Sequence, residues 1–368
     1  FLLGDERGCG RTPVDVETCL KIIPLSCRSA TRTARLAVPR CFWEYRLVVS
    51  AQAGRMTNDF PPHTGAPGSR PTATLPTPVA GELLRLDRRA GAVGLHVAGA
   101  DTGPPLLLVH SVNAAASVHE VAPLFEHFRS TRAVYAPDLP GYGQSNRSAR
   151  AYTPRLMTDA LHDTLDVIAH RHGDQPVDAL AVSLGCEFLA RAAVEAPQRF
   201  RSVALVSPTS FGRRAPRRGP PGAHLGMPWL HRAVTQPLWS QGLFDLLTSR
   251  ASIRFFLRKT FGSREVDAEL LEFSWRTARE PGARHAPLHF LSGFLFARDA
   301  NDLYERLSMP VWMCHGTRGD FTDYAWKATL ARRPGWRFTV YEGCGALPYF
   351  QQPEPFMHDF DTFLASLS

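Results

Sequence analysis

No apolar run in this 368-residue sequence approaches the roughly 20 residues that a membrane-spanning helix needs, although hydrophobic residues make up 44% of it. The opening Phe1-Leu2-Leu3 gives way at once to Gly4-Asp5-Glu6, too little for a secretory h-region. A cytoplasmic protein without a membrane span is therefore expected. Methionine is absent before Met56, and cysteine is sparse after it. Of seven cysteines, Cys9, Cys19, Cys27 and Cys41 precede Met56, while Cys186, Cys314 and Cys344 lie in or beside apolar runs. Their spacing fits no zinc-binding pattern, so buried free thiols are expected, with no metal and no cofactor. A formal charge of +8 raises the question of a nucleic-acid partner. The excess is dispersed, however: nine Lys/Arg against five Asp/Glu in residues 1–55, and a second cluster at Arg213-Arg214-Ala215-Pro216-Arg217-Arg218. No zinc finger, RNA-recognition signature or aromatic-interleaved basic groove accompanies it. That argues for a solvated arginine-rich surface and against nucleic-acid binding.

Periodicity is also missing from residues 1–55, and residues 56–80 are rich in Pro, Gly and Thr. Residues 1–80 read as a disordered or non-native extension and linker, and the natural protein is expected to start at Met56. From Gly81 the pattern becomes regular. Apolar runs over 83–86 and 93–97 predict an opening antiparallel pair. Strands follow over 105–110, 132–138, 177–183, 202–207, 310–316 and 337–342. The helical period places helices over 117–128, 154–170, 186–196, 324–332 and 354–367 between and after them. Continuous apolar strands separated by helices imply a mostly parallel sheet covered on both faces. Phe356, Phe360, Phe363 and Leu367, at spacings of four, three and four, form the core-facing stripe of the last helix. Between residues 211 and 301 the alternation stops, and aromatics, Pro-Gly turns and helical pieces read as an inserted helical cap. The core domain is then 81–210 with 302–368.

Val177-Asp178-Ala179-Leu180-Ala181-Val182-Ser183-Leu184-Gly185 is an apolar strand running into a sharp turn and a helix. A serine on so tight a bend needs small residues two before and two after it, because those positions approach neighbouring strands closely. Ala181 and Gly185 meet that need. The hydroxyl then projects from the carboxyl edge of the sheet, where open α/β proteins bind ligands, and the helix N-terminus favours a developing oxyanion.

Three further segments, with this turn, carry a family resemblance. Leu106-Leu107-Leu108-Val109-His110-Ser111 resembles the strand and His-Gly segment of the α/β-hydrolase superfamily. Asp138-Leu139-Pro140-Gly141-Tyr142-Gly143-Gln144-Ser145 is similar to its D-x-P-G-x-G-x-S loop. Pro310-Val311-Trp312-Met313-Cys314-His315-Gly316, followed by Asp320, resembles the end of its seventh strand with the triad acid. The resemblance runs from about Gly81 to Ser368 and implies an α/β-hydrolase fold with an eight-stranded sheet. It implies Ser183 as nucleophile, Asp320 as acid and the backbone N–H groups of Val112 and Leu184 as the oxyanion hole. Ser111 stands where the family has glycine. Asp320 lies one residue beyond the usual spacing from Gly316; Asp323 is the alternative acid, though a helix N-cap is the expected role for it. His110 is expected to be a structural brace.

The histidine is missing. Gly343-Cys344-Gly345-Ala346-Leu347-Pro348 resembles the family's G-x-G-H-x-P segment, with Ala346 at the position of the base. A serine hydroxyl without a proton acceptor is a poor nucleophile. Three accounts stay open. Another histidine (His110, His315, His285 or His289) fills in, water or substrate assists, or the protein binds without turnover. The expected substrate is a small carboxylic ester or lactone, with Trp229, Leu230, Trp239, Phe244, Phe255, Phe256, Phe290 and Phe294 divided between an apolar pocket and the cap's own core. The alternative is a weakly active or non-catalytic pseudo-hydrolase that binds a small apolar ligand. Serine at position 183 argues against the dehalogenase and epoxide-hydrolase chemistries of the superfamily, which need a carboxylate there.

Overall fold

The computed structural model describes residues 75–213, 216–319 and 323–367. Most of the expected extension, the four early cysteines and Asp320 lie outside the described residues. The elements below belong to one unit, residues 71–368.

Strands form where both faces of the chain are apolar. Leu106–Val109 (β3), Val134–Pro137 (β4), Val177–Val182 (β5) and Val311–Gly316 (β7) are buried at every position, and Phe200–Val206 (β6) nearly so. With the hairpin Glu82–Arg88 (β1) and Gly91–Ala98 (β2) and the edge strand Trp336–Tyr341 (β8), they make an eight-stranded sheet. Its order is β1-β2-β4-β3-β5-β6-β7-β8. β2 runs antiparallel to β1 and β4, and all other pairs are parallel. The mostly parallel sheet expected from the sequence is the one observed. β5, which leads to Ser183, sits between β3 and β6.

Side chains alternate across the sheet. Leu106, Leu108, Leu180, Val182 and Val206 face one side, where Ala122–Phe128 (α1) and Pro353–Ala365 (α12) bring Phe125, Phe128, Phe356, Phe360 and Phe363. The stripe foreseen on the last helix is thus in the core, with Trp312 stacked on Phe360 at 5.4 Å. Pro154–His172 (α2) and Gly185–Glu195 (α3) cover the other side. Thr153 starts α2 by accepting a hydrogen bond from Leu156 N–H, with proline at the first helical position.

Between β6 and β7 come Pro228–Val234 (α4), Ser240–Leu247 (α5), Arg250–Phe261 (α6), Ala268–Thr277 (α7) and His285–Leu291 (α8). Ala300–Arg306 (α9) leads back to the sheet. Ser249 and Asp267 cap α6 and α7, and Gly262 ends α6 in the left-handed region. Phe244, Ile253, Leu271, Ala278 and Ala283 give these helices a small core of their own, shared with Ala115. Among the described residues no helix is long and apolar enough to cross a membrane. The helix expected over 324–332 contracts to Lys327–Leu330 (α10), and Pro348–Gln351 (α11) adds a turn before α12. Cys186, Cys314 and Cys344 are free and buried, as expected, and burial pushes all three thiols up.

Candidate active site

Ser183 sits one residue past the β5 ladder. Its N–H still donates to Val206 O at 2.9 Å. Its φ then swings to 53°, in the left-handed region that serine seldom occupies, so the turn is held by its surroundings. Leu184 follows as the N-cap of α3. The need for a small residue at 185 is literal: a Cβ on Gly185 would stand 2.5 Å from the His110 carbonyl oxygen. Ser183 is partly exposed, and among the described residues its hydroxyl makes no hydrogen bond.

Val112 and Leu184 are both buried, and neither amide donates a hydrogen bond among the described residues. An unpaired buried N–H is costly, and Leu184, which directly follows the strained serine, keeps such a donor at the start of α3. A buried carboxylate fixes the loop that carries Val112. Glu120 Oε2 accepts from Ser111 N–H at 2.9 Å and Oε1 from Asn113 Nδ2 at 2.5 Å. Ala115 N–H donates to Asn113 Oδ1 at 2.7 Å. Ser111, in place of glycine, is accommodated by accepting from Asn113 Nδ2 at 3.3 Å. Glu120 was not singled out from the sequence, where it reads as an ordinary helix-start acid.

Ala346 occupies a loop pinned by the end of α6. Its N–H donates to Thr260 O at 2.7 Å, and Gln351 Nε2 donates to Phe261 O at 3.1 Å. A Cβ on neighbouring Gly345 would lie 2.1 Å from the Thr260 oxygen. Two of the four candidate histidines are fully engaged. His110 Nδ1–H donates to Ser111 O at 2.6 Å while its Nε2 accepts from Leu139 N–H at 2.9 Å, the brace expected for it. His315 Nδ1–H donates to Gly316 O at 2.8 Å, its Nε2 faces Lys327 Nζ at 2.9 Å, and its ring stacks on Tyr324. His289 differs. Its Nδ1–H donates to His285 O at 2.9 Å, which leaves Nε2 unprotonated and without a partner among the described residues. Burial lowers the pKa of His289, and of His285 beside it. Asp323 accepts from Ala325 N–H at 3.1 Å and faces Arg213 Nε at 3.3 Å. It closes a local turn and is not the N-cap of α10, which is Trp326.

Two buried acids hold the surrounding loops. Asp138 accepts from Val118 and Gln144 N–H, each at 2.8 Å, and lies 3.0 Å from His96 Nε2. Burial alone raises its pKa, but the hydrogen bond and charge of His96, helped by the Gln144 N–H, win and bring it down to about 2. Glu187, one turn into α3 beyond Ser183, accepts from Ala297 N–H at 2.8 Å and pairs with Arg217 at 2.5 Å and with Thr209. It thereby ties α3 to both ends of the inserted segment. Of the aromatics expected to line a pocket or the insertion's core, Phe244 and Phe290 are buried, whereas Trp229, Trp239 and Phe255 face outward. Helices α4 to α6 are too short and too few to bury both of their faces. Among the described residues no cluster of three or more His, Cys, Asp or Glu side chains is arranged to hold a metal ion.

A strained serine between a central parallel strand and a helix invites comparison with known proteins. The chain is 27% identical over 272 residues to a pimeloyl-[acyl-carrier protein] methyl ester esterase of Nitrosomonas europaea, covering 73% of this chain and 98% of that protein. Its structure is similar to 2-hydroxy-6-oxo-6-phenylhexa-2,4-dienoate hydrolase of Rhodococcus sp. strain RHA1, with a TM-score of 0.59, 18% identity and coverage of 78% and 100% of the two chains. It is similar also to carboxylesterase CesB of Bacillus subtilis, with a TM-score of 0.58, 18% identity and coverage of 78% and 93%. The profile of the alpha/beta hydrolase fold matches residues 104–353, and the chain belongs to that family.

Proposed function

We propose that the protein hydrolyses small carboxylic esters, lactones among them, through an acyl intermediate on Ser183. The observation that carries the reading is Ser183, strained at φ 53° between β5 and α3, with the amides of Val112 and Leu184 unpaired among the described residues. A tetrahedral intermediate on Ser183 would find both donors prearranged for its oxyanion, the largest single contribution in such chemistry. Asp320 serves as the acid and residues 211–301 as a cap over the site. The esterase named among the relatives supports the choice of ester substrates.

The base is the departure from the family plan. With Ala346 at the usual position, His289 is the candidate imidazole that keeps a nitrogen available to accept a proton. It alone of the four candidates has both a fixed tautomer and a free Nε2, and its low pKa keeps that nitrogen unprotonated. The free Ser183 hydroxyl also favours a second reading, a pseudo-hydrolase that binds a small apolar ligand and turns over slowly.

A short p-nitrophenyl ester separates the two. Triad members act as a unit, so a working base makes Ser183→Ala cost more than about 10⁴ in kcat. His289→Gln then falls by about the same factor. If Ser183→Ala and the unaltered protein hydrolyse the ester at equal rates, the enzyme reading fails and the binding reading stands.

A further inference from the structure

Among the described residues, almost every large apolar side chain left exposed lies on one stretch of the inserted segment. Trp229 on α4, Leu238 and Trp239 between α4 and α5, Leu246 on α5 and Phe255 on α6 are exposed by between 39% (Phe255) and 90% (Leu238). They belong together. Trp239 Nε1 donates to Ala233 O at 2.9 Å, closing α4 against the start of α5, and α5 packs against α6. On α5, Trp239, Gly242 and Leu246 recur at spacings of three and four and share its outer face, while Phe244 and Leu247 are buried beneath. The same stretch, residues 228–264, carries six Lys/Arg and a single acid, Asp245. Arg254 and Arg258 flank Phe255 on the exposed side of α6, and the Arg254 guanidinium has no partner among the described residues.

We infer that the outer face of α4 to α6 is a docking surface for an anionic lipid membrane. Short helices with Trp, Leu and Phe projecting among arginines match the interfacial pattern, in which apolar side chains enter the headgroup boundary and cations meet lipid charge. The tryptophan at 239 has its one polar atom already satisfied by Ala233, so its ring enters the interface at no hydrogen-bonding cost. A second copy of the chain is disfavoured, because a two-fold contact sets this predominantly basic surface against itself. A protein partner needs a complementary shape for knobs as prominent as Leu238; a lipid surface does not. The inference is independent of the ester-hydrolase reading. It adds a place: since the far end of α6 is bonded to Ala346 and packed on Gly345, the docked face and the candidate site share one helix.

Cosedimentation of the full chain with vesicles of phosphatidylcholine alone, or mixed with phosphatidylglycerol, tests it. Binding is expected to the mixed vesicles, weak or absent binding to phosphatidylcholine, and release at 1 M salt, where the Debye length is about 3 Å. Arg254→Glu with Arg258→Glu, and separately Leu238→Ser with Leu246→Ser, should each lower partitioning at least about tenfold. Both pairs lie on the surface, so hydrolysis of a soluble p-nitrophenyl ester stays as in the unaltered chain, which separates this outcome from failure of the enzyme reading. No binding to mixed vesicles at low salt, or binding that neither pair weakens, overturns the inference. So does concentration-dependent dimerisation abolished by Leu238→Ser, which would assign the face to a second copy.

Discussion

Ser183 is held in a backbone conformation that an ordinary serine avoids, and the cost is met by packing around Gly185 and by the Val206 hydrogen bond. Ala346 is the residue at which that investment goes unmatched by a proton acceptor. Ala346→His is therefore the informative substitution. Its N–H anchor on Thr260 is a backbone bond and survives the change, so the imidazole is added without dismantling the loop. If the family plan is otherwise intact, kcat for a p-nitrophenyl ester rises by about 10²–10⁴; no rise places the working base elsewhere. Asp138 offers a residue-scale test of stability. Its folded pKa of about 2 lies below the ordinary value of 3.8, so the stabilisation is complete above pH 4 and is lost as pH falls through 2. The shift corresponds to roughly 2 kcal/mol. Asp138→Asn should destabilise by about 2–4 kcal/mol at pH 7 in urea melts, because Val118 and Gln144 N–H groups lose a charged acceptor.

At the scale of elements, α3 both presents Ser183 and carries the anchors of the inserted segment. Glu187 binds Ala297 N–H and Arg217, and Arg191 binds Asp299 at 2.6 Å with both side chains nearly buried. Removing one partner of a buried pair leaves the other charged and unsolvated, at about 3–5 kcal/mol. Glu187→Ala should therefore raise hydrogen exchange in residues 216–301 before the sheet opens, and Glu187→Gln should recover part of the loss by still accepting from Ala297. Equal protection of the insertion in all three proteins would dismiss the tie. These anchors also show what the sequence can and cannot disclose. β3, β5 and β6 were legible because burial on both faces writes itself as an apolar run, unbroken in β3 and interrupted only near the start of β5 and β6. The Ser183 turn was legible because close approach to His110 demands glycine at 185. Glu120, Asp138 as a brace, and Glu187 were not, since a buried acid looks like a surface acid until its partners arrive. For Glu187 those partners stand 22 to 110 residues away. The contraction of α10 was equally hidden: Tyr324, drawn into the stack on His315 with φ 49°, cannot open a helix.

For the molecule as a whole, the histidines set the pH at which it is most stable. His119, His224, His231, His285, His289 and His315 all have pKa values lowered from 6.5, in each case chiefly by burial. His231 and His289 press together at 4.2 Å between ring centroids, and the charge of His289 adds to burial in discouraging protonation of His231. A depressed folded pKa means that the unfolded chain binds protons first. The stability these rings contribute is therefore complete above about pH 6.5 and drains away as pH falls below it through the folded values. This window lies well above that of Asp138, so acid should act in two stages. Four of the six rings sit between β6 and β7, so the first stage should loosen the insertion, including the α8 turn that carries His289, while the sheet keeps its protection. Thermal melts between pH 8 and 5, paired with hydrogen exchange, read both parts. The expected result is a melting temperature that declines below pH 6.5, with protection lost earliest in residues 216–301. A melting temperature flat from pH 8 to 5 would mean that the rings are solvated enough to titrate as in the unfolded chain, and would remove the ground for an unprotonated His289 at neutral pH.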